Sequence, residues 1–227
     1  MKIRDPNIRR QYIEEYPIRE LFSVPIDDLL EVHVFKKGEY ICEELVAPQR
    51  LYFIVKGRVK LYMIHQDGNV SLAQYYDPGD ILGELEFLGI RTQSQSIQAV
   101  EESVCLALSF KEHGELILSD AIFLRNLSKL IAEKMLRSVS KLVATQTYPL
   151  ENRMAAYLLE KEGEAGRGNW IKVSLTDLAQ YLGASYRHLS RVIKQLEAEG
   201  WIDRERGRLR IRSHEALEEK VSQMQVE

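Results

Sequence analysis

The sequence predicts an α+β chain in three parts: an N-terminal antiparallel β-roll, one long helix, and a small C-terminal domain of helices with a two-stranded wing. From about Val32 to Ser109, short alternating runs are interrupted by turn signals at close intervals. After Ser119, apolar residues recur at spacings of three and four. Near the C-terminus, two short helical patterns flank a glycine and precede an arginine-rich alternating run.

Length and composition fit a folded protein with a sizeable core. The chain has 227 residues, of which 45% are hydrophobic, so one or two domains are expected. Apolar runs such as Leu51 to Val55 are far shorter than the roughly 20 residues that span a bilayer. The N-terminal segment is polar and lacks the apolar core of a signal peptide. We therefore expect a cytoplasmic protein with no membrane partner.

The net charge of -3 argues against indiscriminate binding to nucleic acid, but the charge is unevenly distributed. Between Gly183 and Ser213, eight basic residues stand against four acidic ones, which gives this segment about +4 and leaves about -7 elsewhere. An anionic partner is therefore expected to meet the C-terminal end of the chain.

The roll is predicted from its turns and its alternation. Turn signals occur at Lys36 to Gly38, at Gln66 to Asn69 and at Asp77 to Asp80, and Asp67-Gly68 suits a tight hairpin. Further along, Val104, Leu106 and Leu108 alternate with Cys105 and Ala107, which predicts a strand with two apolar faces.

The long helix is predicted from Asp120 to Tyr148, a stretch without Gly or Pro. Its apolar stripe consists of Ile122, Phe123, Leu127, Leu130, Ile131, Met135, Val139 and Leu142. A small roll cannot cover so long a stripe, so we expect a second copy of the helix to cover the rest, in a parallel two-fold dimer. The alternative is packing within one chain. Pro149 ends the helix and marks a hinge at Tyr148 and Pro149.

The C-terminal domain begins with a predicted helix from Glu151 to about Glu162. Ser174 and Asp177 then form a capping-box start, the next helix stops at Gly183, and Ser185 can cap a following helix. The apolar face of that last helix consists of Leu189, Val192, Ile193 and Leu196, at helical spacing. Its other face carries Tyr186, Arg187, Ser190, Arg191 and Lys194.

Two short helices around a glycine turn, the second one basic on its outer face, are typical of a helix-turn-helix that binds double-stranded DNA. Arginines alternate with Leu209 and Ile211 around an Arg206-Gly207 turn, which predicts a two-stranded wing suited to phosphate contacts. The alternative is an amphipathic helix whose basic face is merely solvated. The predicted domains are 1–119, 120–147 and 148–227.

The order of parts resembles the Crp/Fnr family of bacterial transcription regulators, from about Phe35 to Ser213. The motifs that carry the resemblance are GELEFL from Gly83, NRMAAYLL from Asn152, and the run from Leu178 to Ile202. The AVEESVCLALSF and YLGASYRHL stretches are similar to the YeiL-type branch of that family. The resemblance implies a homodimer with a cyclic-nucleotide-binding-type sensor, a winged helix-turn-helix that binds palindromic sites, and RNA polymerase as a further partner.

Carried over by position, the recognition contacts fall on Tyr186, Arg187, His188 and Arg191. Arg187 and Arg191 are the candidates for bidentate contacts to guanine, each worth about 1–3 kcal/mol of discrimination. The predicted DNA-binding set is Ser185, Tyr186, Arg187, His188, Ser190, Arg191, Lys194, Arg206 and Arg208. Of these, Lys194 and the wing arginines are assigned to phosphates.

The family's phosphate pocket is only partly present. Gly83, Glu84 and Leu85 match its opening turn, where the glutamate is implied to take the ribose hydroxyl. The family's arginine and its small neighbour are replaced here by Gln93 and Ser94, so a buried phosphate lacks its charged partner. Arg91 is an alternative cation, and Ser138 lies where the family contacts the base. We expect no useful affinity for a cyclic nucleotide, while another small-molecule effector stays open.

The alternatives to this hypothesis are an enzyme, a haem sensor, and a nucleotide-independent regulator that always binds DNA or responds to thiol oxidation. A metal-dependent cupin-type enzyme needs clustered histidines, but the five histidines are scattered and no catalytic motif is present. A haem sensor would use His33, His65 or Cys42 as an axial ligand. Cys42 and Cys105 match no metal-ligand spacing and are expected to be buried thiols, with thiol-based redox control as the alternative. We therefore expect no enzyme, no cofactor and no metal.

The expected mechanism pairs two chains along Asp120 to Val143. This pairing places two recognition helices, Ser185 to Glu199, about 34 Å apart in successive major grooves. A signal in the roll would rotate the C-terminal domains about the hinge and so shift the population of competent dimers.

Overall fold

A computed structural model describes residues 1–3, 5–44, 46, 49–64, 70–90 and 95–224. The chain divides into two compact units, Met1–Leu136 and Arg137–Glu227. The division falls inside one long helix, so each unit contains part of it.

The first unit is built on two antiparallel sheets. One has the order β1-β2-β9-β4-β7 and the other has the order β3-β8-β5-β6. The strands are β1 Lys2–Ile3, β2 Leu30–Phe35, β3 Tyr40–Cys42, β4 Arg50–Lys56, β5 Val59–Ile64, β6 Val70–Tyr76, β7 Ile81–Leu82, β8 Ser96–Ala99 and β9 Ser103–Ser109. The predicted β-roll is therefore confirmed. The predicted turn at Asp67-Gly68 lies outside the described residues, although β5 and β6 on either side of it pair with Ile64 opposite Val70.

Strand β9 is buried on both faces, as its sequence predicts. Val104, Leu106 and Leu108 belong to a core cluster that also contains apolar side chains of the helices. Cys105 and Ala107 point into a second cluster between the two sheets. When other parts of the protein cover both faces of a strand, neither face meets water, so the strand consists of a continuous run of apolar residues.

Helices cover the outer face of the first sheet. They are α1 Pro6–Glu15, the short α2 Glu84–Phe87, α3 Phe110–Leu118 and the first part of α4 Ala121–Thr147, with a 3₁₀ turn at Pro17–Leu21. Phe123 and Leu127 of α4 are buried in the first core cluster, where Phe123 stacks on Phe22 at 4.5 Å. The buried carboxylate of Asp120 caps α4 by accepting hydrogen bonds from the N–H groups of Ile122 and Phe123.

The second unit has one core cluster formed by four helices and a small sheet. Besides the end of α4, the elements are α5 Leu150–Ala165, β10 Ile171–Lys172, α6 Leu175–Tyr181, α7 Tyr186–Ala198, β11 Ile202–Glu205, β12 Arg208–Ile211 and α8 His214–Ser222. The sheet has the order β10-β12-β11, and β11 and β12 form the predicted wing. Pro149 lies between α4 and α5, as predicted.

Candidate nucleic-acid interface and effector pocket

Helices α6 and α7 form a helix-turn-helix whose ends are fixed by local hydrogen bonds. The hydroxyl of Ser174 accepts from the N–H of Asp177, and that of Ser185 accepts from the N–H of His188. Between the helices, Gly183 adopts a φ of +63°, a left-handed conformation that favours glycine. Both predicted caps and the predicted glycine turn are confirmed.

Helix α7 has one buried and one exposed face. Leu189, Val192, Ile193 and Leu196 are buried in the core of the second unit, as predicted. The side chain of Tyr186 is 54% exposed at the start of the helix. The predicted DNA-contacting residues Ser185, Tyr186, Arg187, His188, Arg191 and Lys194 are all exposed, and Ser190 is half-buried. The fold thus brings this part of the predicted set together on one accessible surface.

The basic side chains of this surface are Arg187, Arg191 and Lys194. In the part of the chain that the structure describes, Arg187, Arg191 and Lys194 form no ion pair with a carboxylate. An unpaired guanidinium on a rigid helix can donate two parallel hydrogen bonds to a guanine edge or to a phosphate. The surface is therefore chemically suited to an anionic partner.

The wing carries the remaining predicted contacts, Arg206 and Arg208. Arg206 is exposed at the turn between β11 and β12. Arg208 donates from Nε and Nη2 to the carboxylate of Glu205, and the distance from Nε to Oε2 is 2.9 Å. Its guanidinium carbon lies 4.7 Å from the ring centre of Trp170. The two arginines therefore have different surroundings, although the sequence assigns them the same role.

The last turns of α4 pack on the helix-turn-helix. The ammonium group of Lys141 lies 4.1 Å from the ring centre of Tyr181, at the end of α6. Burial lowers the pKa of Lys141 to about 8. A Cβ placed on Gly183 would come within 2.7 Å of the Cγ2 of Thr145. These contacts explain why the end of α4 belongs to the second compact unit.

The junction predicted to be a hinge is held by hydrogen bonds. The hydroxyl of Tyr148 donates to the carbonyl of Met224 at 2.6 Å, and Nε of Arg153 donates to the carbonyl of Tyr148 at 3.2 Å. Arg153 also donates to the carbonyl of Leu182 in the turn of the helix-turn-helix. Rotation at Tyr148 and Pro149 would have to break these bonds.

In the first unit, the local geometry requires a glycine at the position that opens the predicted pocket. Gly83 adopts a φ of +85° immediately before α2, and a Cβ there would lie 2.7 Å from the carbonyl oxygen of Arg50. The carbonyl of Gly83 accepts from the N–H of Phe87, and the side chain of Leu85 is half-buried. The turn therefore requires glycine whether or not a ligand binds.

Glu84 is buried and already has a cationic partner that the sequence did not indicate. Nζ of Lys134, on α4, lies 2.5 Å from a carboxylate oxygen of Glu84 and donates to the carbonyl of Ile81 at 2.8 Å. It also lies 4.4 Å from the ring centre of Tyr76. The signal that could have identified Lys134 is its position one helical turn before Ser138, on the same face of α4.

The remaining predicted pocket residues are Arg91, Gln93, Ser94 and Ser138. Arg91, Gln93 and Ser94 lie outside the described residues. Ser138 is exposed on α4 and belongs to the second unit.

The alternative sites find little support. Cys42 and Cys105 are buried free thiols, as predicted, and burial raises the pKa of the Cys105 thiol, which disfavours the reactive thiolate. Among the described residues, which do not include His65, no group of three His, Cys, Asp or Glu side chains could hold a metal ion. His33 and His214 are engaged with Glu31 and Glu162 respectively.

None of the helices that the structure describes is long and apolar enough to span a membrane.

Comparisons with known proteins agree with this architecture. Residues 32–120 match the family described as "Cyclic nucleotide-binding domain", and residues 152–220 match the "Crp-like helix-turn-helix domain". The chain is 32% identical over 188 residues to "Regulatory protein YeiL" of Escherichia coli O157:H7, covering 83% of this chain and 84% of that protein. It is 30% identical over 186 residues to "Cyclic AMP receptor protein" of Thermus thermophilus, covering 82% and 86%.

Solved structures show the same fold. A CRP/FNR family transcriptional regulator from Thermus thermophilus has a TM-score of 0.70 at 24% identity, covering 84% of this chain and 98% of that one. The global regulator CLP of Xanthomonas campestris, described as responsive to c-di-GMP, has a TM-score of 0.73 at 16% identity, covering 90% and 99%.

Proposed function

Because the chain belongs to the Crp/Fnr family and is a DNA-binding transcription regulator of that type, we propose that it works as a homodimer on a palindromic operator. In this proposal residues 1–119 form the sensor roll, 120–147 the dimerisation helix and 148–227 the DNA-binding domain. The observation that carries it is the exposed basic face of α7, whose Arg187, Arg191 and Lys194 pair with no carboxylate among the described residues, on a helix that is capped at its start. We propose no catalytic activity and a cytoplasmic site of action.

DNA recognition rests on Arg187 and Arg191 as base contacts, with Lys194 and Arg206 as phosphate contacts. Tyr186, His188, Ser185 and Ser190 complete the surface. Each arginine that contacts a guanine should contribute about 1–3 kcal/mol of discrimination at one position of the site, whereas a phosphate contact strengthens binding to every sequence.

The test is selection of bound fragments from a genomic pool by the purified, reduced protein, with no ligand added and at stated salt. We expect a palindromic motif that loses information at one position per half-site in Arg187→Ala. Glu197→Ala, on the same helix but beyond its basic half, is the matched control and should return the parent motif. An unchanged motif for Arg187→Ala would contradict the assignment of Arg187 as a base contact.

Dimer formation through α4 is supported by the apolar side chains that its second half exposes. Met135, Val139 and Leu142 are 60%, 49% and 57% exposed, at a spacing of four and three residues. Leu136 and Val143 beside them are also exposed. A second copy of this helix would remove these side chains from water at roughly 25 cal/mol per Å² of buried apolar area. The stoichiometry in solution tests this proposal.

We propose that the roll does not bind a cyclic nucleotide. The carboxylate of Glu84 is held by Lys134 in this structure, and the sequence offers Gln93 and Ser94 in place of the family's arginine and its small neighbour. Calorimetry with cyclic AMP and cyclic GMP should show no micromolar binding. Micromolar or tighter binding would overturn this part, and a gain of binding in Gln93→Arg would identify the lost charge as the reason.

Control by a different small molecule is the regulatory route that we propose. Tight operator binding by the purified protein without any ligand would contradict it, and weak binding that a small-molecule fraction of cell extract restores would support it. Because hydrogen bonds hold Tyr148 and Arg153, we place the pivot of such a switch in α4 before Lys141 rather than at Pro149. RNA polymerase is proposed as a further partner, to be tested by transcription from an operator-bearing template with and without the protein.

A further inference from the structure

The wing arginines fall into two groups that differ in their contacts. Arg208 and Arg210 lie on one face of β12 and each pairs with a carboxylate directly opposite on β11. Arg206, at the turn, is exposed, and the described part of the chain offers it no carboxylate partner. Arg208 is exposed like Arg206, so the two differ in their ion pairing rather than in their exposure to solvent.

The paired arginines are also stacked on one aromatic ring. The guanidinium carbons of Arg208 and Arg210 both lie 4.7 Å from the ring centre of Trp170, which precedes β10. Nε and Nη2 of Arg210 donate to Asp203 at 3.0 and 2.5 Å. Each planar guanidinium is therefore fixed both by a carboxylate and by a π face.

This arrangement opposes contact with DNA phosphates. A phosphate bound to Arg208 would lie close to the carboxylate of Glu205, which already accepts from Nε and Nη2 of this arginine and would repel the anion. Stacking on Trp170 also fixes the direction of the N–H groups of Arg208, so the guanidinium cannot turn away from Glu205 towards a phosphate without losing that contact. Neither cost applies to Arg206.

We propose that Trp170 is a positioning residue: it holds Arg208 and Arg210 in a brace with Glu205 and Asp203 that shapes the wing, while Arg206 provides the wing's phosphate contact. The inference rests on the proposed DNA-binding function. It changes the role that the sequence assigns to Arg208.

The first experiment exploits the neutrality of the Glu205–Arg208 pair. In Glu205→Gln/Arg208→Gln both charges are removed together, so a paired arginine is replaced without a change in net charge. We measure operator binding of the full chain between 50 and 200 mM salt. Each lost phosphate contact reduces the affinity change over this fourfold range by a factor of about three to four, because the salt slope falls by about 0.9.

We expect the double variant to keep the parent slope and Arg206→Gln to lose one contact. If the double variant shows a salt slope lowered by one contact, Arg208 does contact a phosphate and its assignment to the brace is wrong. If Arg206→Gln keeps the parent slope, Arg206 is not the phosphate contact. Absence of operator binding by the parent chain at every salt concentration, with and without the small-molecule fraction of cell extract, would overturn the proposed function and this inference together.

The second experiment tests Trp170 without DNA. Amide hydrogen exchange in β11 and β12 should accelerate at least tenfold in Trp170→Leu and stay near the parent rate in Trp170→Phe, which keeps a π face for the arginines. Equal exchange rates in the parent and the leucine variant would contradict the proposed brace. Acceleration of the same size in both variants would show that only the size of the side chain matters and would also overturn the proposed role.

Discussion

The ammonium group of Lys134 lies 2.5 Å from the carboxylate of Glu84, and the side chains are only 12% and 9% exposed. Removing one partner of a buried ion pair leaves a charge without compensation and typically costs about 3–5 kcal/mol. We expect Lys134→Met to destabilise the first unit by about 3 kcal/mol, and Glu84→Gln/Lys134→Met to recover most of that loss. Urea unfolding followed by far-UV circular dichroism measures both.

The exposed Lys56–Glu102 pair of the same unit is the control for this prediction, since its side chains are 57% and 64% exposed. Lys56→Met should cost less than about 1 kcal/mol. A Lys134→Met effect as small as that of the control would show that the buried pair does not hold α4 to the roll. Circular dichroism is required because both tryptophans, Trp170 and Trp201, report only on the second unit.

Leu142→Glu should abolish the dimer and leave the fold of each chain intact. Leu142 is 57% exposed in the single chain, so a charge there costs little folding free energy, whereas a buried helix seam cannot accept two facing carboxylates. Sedimentation velocity at micromolar concentration should give a monomer. Glu133→Lys, on the opposite side of α4 two residues before Met135, should remain dimeric. A dimeric Leu142→Glu would place the interface elsewhere.

Gly183→Ala should destabilise the second unit by more than the cost of its backbone conformation. Gly183 and Gly200 both have positive φ, +63° and +74°, but only a Cβ on Gly183 meets a side-chain atom, the Cγ2 of Thr145 at 2.7 Å. Gly200→Ala thus provides the backbone cost alone, about 1–2 kcal/mol. We expect Gly183→Ala to cost about 1–3 kcal/mol more, by tryptophan fluorescence.

Thr145→Ser can then separate the overlap from other effects of the Gly183→Ala change. Serine lacks the methyl group but keeps the hydroxyl that donates to the carbonyl of Lys141 at 2.9 Å. In the Gly183→Ala background it should recover most of the additional loss. No recovery would mean that Thr145 does not limit the turn.

Glu31 should make the first unit sensitive to acid. Burial by itself raises the pKa of this carboxyl, but hydrogen bonds from Lys2 and His33 outweigh it and lower the pKa from 4.5 to about 2. A carboxyl with a depressed pKa in the folded state contributes stability above its unfolded pKa. That stability is lost as the pH falls from about 4.5 through about 2.

The measurement is the difference in unfolding free energy between the parent and Glu31→Gln as a function of pH. It should reach at most about 3–4 kcal/mol at pH 7, since one pKa unit corresponds to about 1.4 kcal/mol, and approach zero near pH 2. A constant difference for Glu31→Gln would contradict the prediction.

Local patterns predicted much of the fold because they depend on neighbours in sequence. Alternation placed Val104 and Cys105 on opposite faces of one strand, and helical spacing placed Leu189 and Val192 on the buried face of α7. The caps at Ser174 and Ser185 could also be predicted from the sequence, because a cap and the N–H group that it satisfies are three residues apart.

The sequence by itself determined the order of the elements, the buried and exposed faces of the recognition helix, and the concentration of positive charge near the C-terminus. Only the tertiary structure decided which charged side chains pair with one another inside the protein. Lys134 meets Glu84 from 50 residues away, and Arg208 and Arg210 contact Trp170 and pair with Glu205 and Asp203, whereas the described residues offer Arg206 no carboxylate. The physical reason is that periodicity and capping act over a few residues, whereas the neutralisation of a charge depends on which side chains packing brings within about 4 Å of it.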